Sequence, residues 1–488
     1  MKKTAIQSFA DSVLSLFGKP ANTNARSFDA AGGGRRWDKA PTIDNLNSTI
    51  LSSATIAARR ASYYARNNPW VATGVSSIVG NAVGPGIKPR SQHPDPAVRA
   101  EIQKLWDGWT QRADAAGLVD FYGLQSLAVR AMIEGGEAFA RFRTRLPSDG
   151  FDVPFQVELI DRDQVPLDKL DMNGGNRIRA GIEFDPIGRR IAYHMLRQRP
   201  GDPFAPLTGS ALDTVRVDAA DALHLFQVIA PGQLRGVTWL APILLRLHEL
   251  DQMEDAQLVK AKVQALFAGF ITDPEGSIAG QNDASVVNGI LDLAFEPGTL
   301  APLPPGADIR FSNPSGDTAY GDFVRGHLRA IAAGLGTTYE NLSGDYSATN
   351  YSSARAALVE HRRRLEQLQY GTIIHQFCRP VWERFVRTAI LSGALHAPDF
   401  DRNPGAYLAC EWLPPKFDYV DPAKDVKAEI EAINAGLKSR SQAIAERGYD
   451  AEQIDAEIKA DHDREQSLGL SFTVPAADVP PQTEENPQ

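Results

Sequence analysis

From Ser352 onward the sequence carries an apolar repeat that limits what the chain can fold into. Ala354, Leu358, His361, Leu365, Leu368, Ile373, Phe377, Val381 and Phe385 recur at three- to five-residue intervals, the spacing of one helix face. From Ser352 to Arg379 such a helix spans about 42 Å at 1.5 Å per residue. Pro380 is expected to bend or interrupt it. A rod of that length cannot cover its own apolar face, so it needs packing partners all along it. His361 stands beside Arg362, Arg363 and Arg364, so a partly solvated face is expected there.

The remaining pattern reads as α+β and predominantly helical. One helical stretch runs from Asn47 to about Val83 through Ile50, Ala54, Trp70, Val75 and Ile78, and Gly84-Pro85-Gly86 stops it. A second carries Ile102, Leu105, Trp106 and Trp109; a third carries Leu124, Val129, Met132 and Ile133. Past Gly136 short strands take over: Ala138 to Arg143, Phe155 to Ile160, Gly181 to Phe184, Ile191 to Leu196 and Ala222 to Phe226. Asp161 and Asp163, followed by Pro166, mark a strand end rather than an acid pair, and His224 reads as a satisfied core histidine.

After Gly236 a long helix is expected through Leu240, Ile243, Leu247, Leu250, Leu258 and Val263. Ala268–Gly316 is rich in Gly and Pro and sets six acidic residues against the single Arg310, a net charge of −5. Another helix follows over about 317–334, then a loop bearing Gly336, Gly344, Asp345 and Asn350. Three capped helices close the pattern. Asp421 precedes Pro422, Ser439 pairs with Gln442 in a capping box, and Asp450 pairs with Gln453.

Function classes narrow by what is missing. With 488 residues and 43% hydrophobic content the chain can bury more than one core. A net charge of −9 argues against a protein that grips nucleic acid, though not against one that surrounds it. Cys378 and Cys410 cannot build a disulfide framework or a four-cysteine zinc site, and suit a reducing compartment. No run approaches 18 apolar residues, so no membrane span is expected. The Ile6, Phe9, Val13, Phe17 stripe reads as a packing or partner helix. Gly32-Gly33-Gly34 lacks the Gly-Lys-Ser/Thr of a phosphate loop and reads as part of a mobile arm. Gly334-Leu335-Gly336 lacks the third glycine of a dinucleotide loop, and the nine histidines have no ligand spacing. The sequence therefore assigns no catalytic, cofactor-binding or metal residue and does not read as an enzyme.

Residues 331–336 (Ile-Ala-Ala-Gly-Leu-Gly), Tyr339 to Ser347 and Asn350 to Arg355 resemble the most characteristic block of the lambda-like portal proteins of tailed bacteriophages. Collinear blocks agree: Asn67 to Trp70, Gly84 to Ile87, Glu158 to Asp163, His224 to Phe226, Gln233 to Val237, Trp412 to Pro414 and Val420 to Pro422. The likeness covers about 60–470.

The resemblance implies a portal fold of wing, stem, clip and crown, assembled as a ring, usually of twelve subunits, around a central channel at one capsid vertex. On that expectation 1–48 is a flexible arm, 49–236 wing, 237–267 a stem helix, 268–316 clip and 317–336 the second stem helix. Then 337–352 is a tunnel loop, 353–422 the long helix and the return to the wing, 423–470 crown and 471–488 a disordered tail. It also implies a head–tail connector in the virion, assembled in the host cytoplasm, that passes double-stranded DNA without sequence specificity. Implied partners are the terminase large subunit, the major capsid protein or scaffold, and a head-completion or adaptor protein. Gly344, Asp345, Tyr346, Asn350 and Tyr351 would face DNA in the channel, and Asp273, Glu275 and Asp283 would face terminase.

Overall fold

Asn68 and Pro69 divide the first expected helix in two. Proline cannot continue a helix from its interior but suits a first turn, and the Asn68 side chain accepts the Val71 backbone N–H at 3.1 Å to start that turn. The result is α1 (Leu46–Asn67) followed by α2 (Pro69–Ala82). The structure, a computed structural model, describes residues 43, 45–203, 213–266, 270–272, 286–287, 290–291, 308–310, 318–347, 350–415 and 422–470. The chain divides into two units, Met1–Thr49 and Ile50–Gln488. In the first, Asn45 Oδ1 accepts the Asn47 backbone N–H at 2.9 Å and caps α1.

In the second unit β1 (Lys88–Ser91) leads to α3 (Pro96–Thr110), capped by Asp95 accepting from Ala97 N–H at 2.8 Å. Helix α4 (Phe121–Gly135) is capped by Asp120, which accepts from Gly123 N–H at 2.7 Å. Gly136 ends it in the left-handed region, at φ 92°.

Strands β2 (Glu137–Thr144), β3 (Phe155–Ile160) and β9 (Ala222–Phe226) form one antiparallel sheet in the order β3-β2-β9. Period-two alternation sorts its side chains between two cores. Ala138, Ala140, Phe142, Leu223 and Leu225 join the large core with the helices; Phe139, Ile160 and Ala222 join a small core with Ile182, Tyr193 and Met195. That small core belongs to a second, five-stranded sheet: β4 (Asp171–Asn173), β5 (Asn176–Arg179), β6 (Ile182–Phe184), β7 (Arg190–Leu196) and β8 (Thr214–Asp218), in sequence order. Asp161 caps a single turn between the sheets in a capping box with Gln164, as its strand-end position suggested.

The helix expected from residue 237 begins later, as α5 (Leu244–Leu266). Leu240 and Ile243 sit in turns, buried in the large core, because Thr238 Oγ1 accepts the Leu240 N–H and donates to Ile133 O. Strands β10 (Phe270–Thr272) and β13 (Asp308–Arg310) pair antiparallel, as do β11 (Val286–Val287) and β12 (Ile290–Leu291). Helix α6 (Thr318–Leu335) packs on α5. It is followed by α7 (Tyr339–Ser343) and α8 (Tyr351–Leu368).

Pro380 does not interrupt the long helix. Helix α8 passes into ten residues of π-helix, Gln369–Cys378, and then into α9 (Arg379–Leu391), with Pro380 in its first turn. In the π turn the Arg379 N–H reaches back five residues to Ile374 O, so the chain has already left the i→i−4 pattern where Pro380 enters. The widened segment carries Phe377 into an aromatic cluster in which Trp106 lies 5.0–5.1 Å from Phe121, Trp382 and Phe385.

Helix α10 (Pro404–Leu408) precedes β14 (Cys410–Leu413), which pairs antiparallel with β1. Helices α11 (Pro422–Asn434), α12 (Arg440–Ala445) and α13 (Ala451–Leu468) follow. Ser439 caps α12 through Gln442 N–H; Asp450 caps α13 through Glu452 N–H, one residue before the expected position. Asp421 lies outside the described residues.

Candidate functional site

The loop after α6 is built by its own side chains. Gly336 turns the chain at φ 82°, and a Cβ there would run into the Arg364 guanidinium from α8. Thr338 then caps α7 by accepting Asn341 N–H at 3.1 Å, and Gly344 ends that helix at φ 69°. Asp345 ties the next turn together. Its Oδ1 accepts from the backbone N–H (3.0 Å) and hydroxyl (2.6 Å) of Ser347, and its Oδ2 accepts from the Tyr339 hydroxyl at 3.0 Å. These bonds, those from Ser347 foremost, hold the carboxyl below the usual carboxylate range, so it stays ionised. Tyr346 is 61% exposed beside it.

Gly344, Asp345, Tyr346 and Asn350 thus lie on one short segment that presents a fixed negative charge and an exposed ring, and Tyr351 opens α8. Gly344 uses its backbone freedom, at positive φ. Asp273, Glu275 and Asp283 lie outside the described residues. What is described around them is the antiparallel pairing of β10 with β13, which follow α5 and precede α6 in the sequence.

His361 departs from expectation: it is 7% exposed, buried against the loop rather than solvated. Burial first, then Arg364, push its pKa below the ordinary histidine value, against a backbone hydrogen bond involving Gly336.

A second polar constellation joins the sheets to Arg235 and Gly236, in the segment that leads to α5. Glu137 is fully buried and accepts from Arg235 Nε (2.9 Å) and Nη2 (2.7 Å), from Gly236 N–H (2.9 Å) and from His224 Nε2 (2.9 Å). Arg235, 0% exposed, also donates to Val165 O and Ala180 O. His224 is sandwiched between Phe139 and Phe226, and its Nδ1 accepts from Arg190 at 2.8 Å. A guanidinium can only donate, so the histidine proton sits on Nε2, facing Glu137. Burial pushes the His224 pKa down to about 4. Burial alone would raise Glu137, but Arg235 and His224 outweigh it and hold the carboxyl far below its usual range. Gly136 and Gly236 close on each other here, and a Cβ on either would strike the other's backbone segment. The sequence identified His224 as a core histidine and Gln233–Val237 as a block, but nothing local marked Glu137 as their partner.

Among the described residues no group of three or more His, Cys, Asp or Glu side chains could hold a metal ion, and no helix is long and apolar enough to cross a membrane. Comparison with known proteins settles the family. Residues 33–369 match the phage portal protein family of lambda type. The chain belongs to the lambda family of phage portal proteins. It is 27% identical to a probable portal protein of Halomonas phage phiHAP-1 over 407 residues, covering 80% of this chain and 76% of that protein. It is 23% identical to portal protein B of Escherichia phage lambda over 513 residues, covering 94% of both. Among solved structures, the neck of an empty gene transfer agent particle is similar at a TM-score of 0.41 and 18% identity, over 91% of this chain and 98% of that one.

Proposed function

We propose that this portal protein assembles as a closed ring, of twelve copies or a neighbouring number, at one capsid vertex, and that double-stranded DNA passes through its centre during packaging and ejection. Residues 49–236 then form the wing, α5 and α6 the stem, 268–316 the clip, 337–352 the tunnel loop and 423–470 the crown. The observation that carries this reading is a stem–insertion–stem order. Helices α5 and α6 pack together, and the β10–β13 pair makes the intervening segment leave and return at one place. Repeated around an axis, that order extends a tube from a broad body, and head-to-tail contacts close when the rotation closes. The clip would receive the terminase large subunit and later a head-completion protein; the wing would face the capsid protein or scaffold. Terminase supplies the ATP chemistry, and this chain hydrolyses none.

A channel for sliding DNA works best without firm phosphate contacts, because each one adds affinity and therefore drag. Asp345 suits that role: its charge is fixed in place by hydrogen bonds from Ser347 and Tyr339. Deleting 345–349 should leave rings intact by electron microscopy while reducing packaged or retained DNA. Loss of assembly in that variant would make the loop structural and overturn its placement in the channel.

A further inference from the structure

We propose that the five-stranded sheet carries a docking cleft for an acidic polypeptide segment with apolar side chains, supplied by another protein. Strand register puts the relevant groups on one face: Met172 lies opposite Arg177, Arg177 opposite Phe184, and Phe184 opposite Arg190. Arg179, two residues along β5, shares that face. With the turn at Gly232–Leu234 these residues line a cleft of about 410 Å³.

The charges in the cleft are unbalanced. Asp185, its one acid, is consumed by Arg189 Nε at 2.8 Å and by the backbone N–H groups of Ile187 and Arg189. Arg190 is consumed by His224 and by the carbonyls of Gln233 and Leu234. Glu183 is buried on the opposite face, held by Asn173, Asn176, His194 and Arg216. Arg177 and Arg179 are exposed and have no carboxylate partner among the described residues. In a chain of net charge −9, two adjacent unpaired guanidiniums in a cleft point to a carboxylate-bearing ligand.

The surroundings favour polypeptide over nucleic acid. Met172 is 61% and Ile187 77% exposed at the cleft's margins, and Phe184 and Leu234 line it. A DNA backbone would leave that apolar surface wet, whereas a peptide can cover it. Strand β4 is the exposed edge of the sheet and offers backbone groups for pairing with an extended segment.

Fluorescence anisotropy with the purified full chain tests this independently of the portal reading. The probes are a short fluorescein-labelled peptide of glutamate and leucine, a lysine–leucine control and a labelled DNA duplex. The acidic peptide should bind with a Kd on the order of micromolar. Arg177→Glu/Arg179→Glu should weaken it by about tenfold, and Met172→Ser/Ile187→Ser by a similar factor, with circular dichroism unchanged in both. No saturable binding, equal binding by both double variants, or displacement of the peptide by duplex DNA would overturn the proposal. So would a gain in peptide affinity on deleting 471–488. That segment holds Asp478, Glu484 and Glu485 with no Lys or Arg, and such a gain would make the chain's own tail the occupant.

Discussion

Replacing Glu137 with glutamine should destabilise the protein severely, although the side chain keeps its shape. In the native state four N–H groups converge on this carboxylate, two of them from an arginine that is 0% exposed. An amide offers one acceptor oxygen and turns its own donors toward Arg235, which is left as an uncompensated buried cation. Breaking a buried pair from one side costs about 3–5 kcal/mol, a large fraction of the roughly 5–15 kcal/mol that holds a domain folded. The double variant Glu137→Gln/Arg235→Met removes both charges, keeps an acceptor oxygen where Gly236 and His224 donate, and orphans mainly the carbonyls of Val165 and Ala180. At about 1 kcal/mol for each orphaned carbonyl, it should lie within about 2 kcal/mol of the parent. Urea unfolding followed by tryptophan fluorescence, at one protein concentration, measures all three proteins. A loss under about 1 kcal/mol in Glu137→Gln, or a double variant worse than the single one, would refute the buried-pair reasoning.

The same network sets a pH dependence. His224 is neutral in the fold with a pKa near 4, below its ordinary 6.5, so the unfolded chain takes up the proton first as pH falls. Its stabilisation is complete above about pH 6.5 and declines toward pH 4, by at most about 1.4 kcal/mol per pH unit. Glu137, held low, extends the loss as pH falls below the usual carboxylate range. Thermal midpoints measured across this window should fall for the parent and flatten between pH 6.5 and 4 for His224→Gln. In the proposed clip, reversing Asp273, Glu275 and Asp283 to lysine should weaken terminase binding, most at low salt, with rings still forming. Equal affinity at two salt concentrations would remove the electrostatic part of that assignment.

What the sequence disclosed depended on how local the cause was. Strands β2, β3 and β9 were legible because their alternation is set by two cores, one on each side of a single sheet. Strands β4, β5 and β14 were not: β4 is wholly exposed, Asn176–Arg179 is polar but for Ile178, and β14 exists because a distant β1 pairs with it. The long helix was legible from its repeat, but the π segment that admits Pro380 leaves no mark in the spacing. His361 was misjudged because its three arginine neighbours suggested water, whereas the loop at Gly336 covers it. Within the candidate site, Gly344 and Asp345 stood out as turn residues. The tie to Tyr339 could be seen only once α7 had placed the hydroxyl six residues back. The Glu137–Arg235 pair, 98 residues apart in the chain, had no sequence signal at all.

The central claim is a ring with a hole along its axis, and an image of the purified assembly down that axis tests it most directly. Electron microscopy, with native mass spectrometry on the same sample, should show closed rings of about twelve subunits around an open channel. Monomers or dimers alone, across micromolar concentrations and a range of salts, would contradict it.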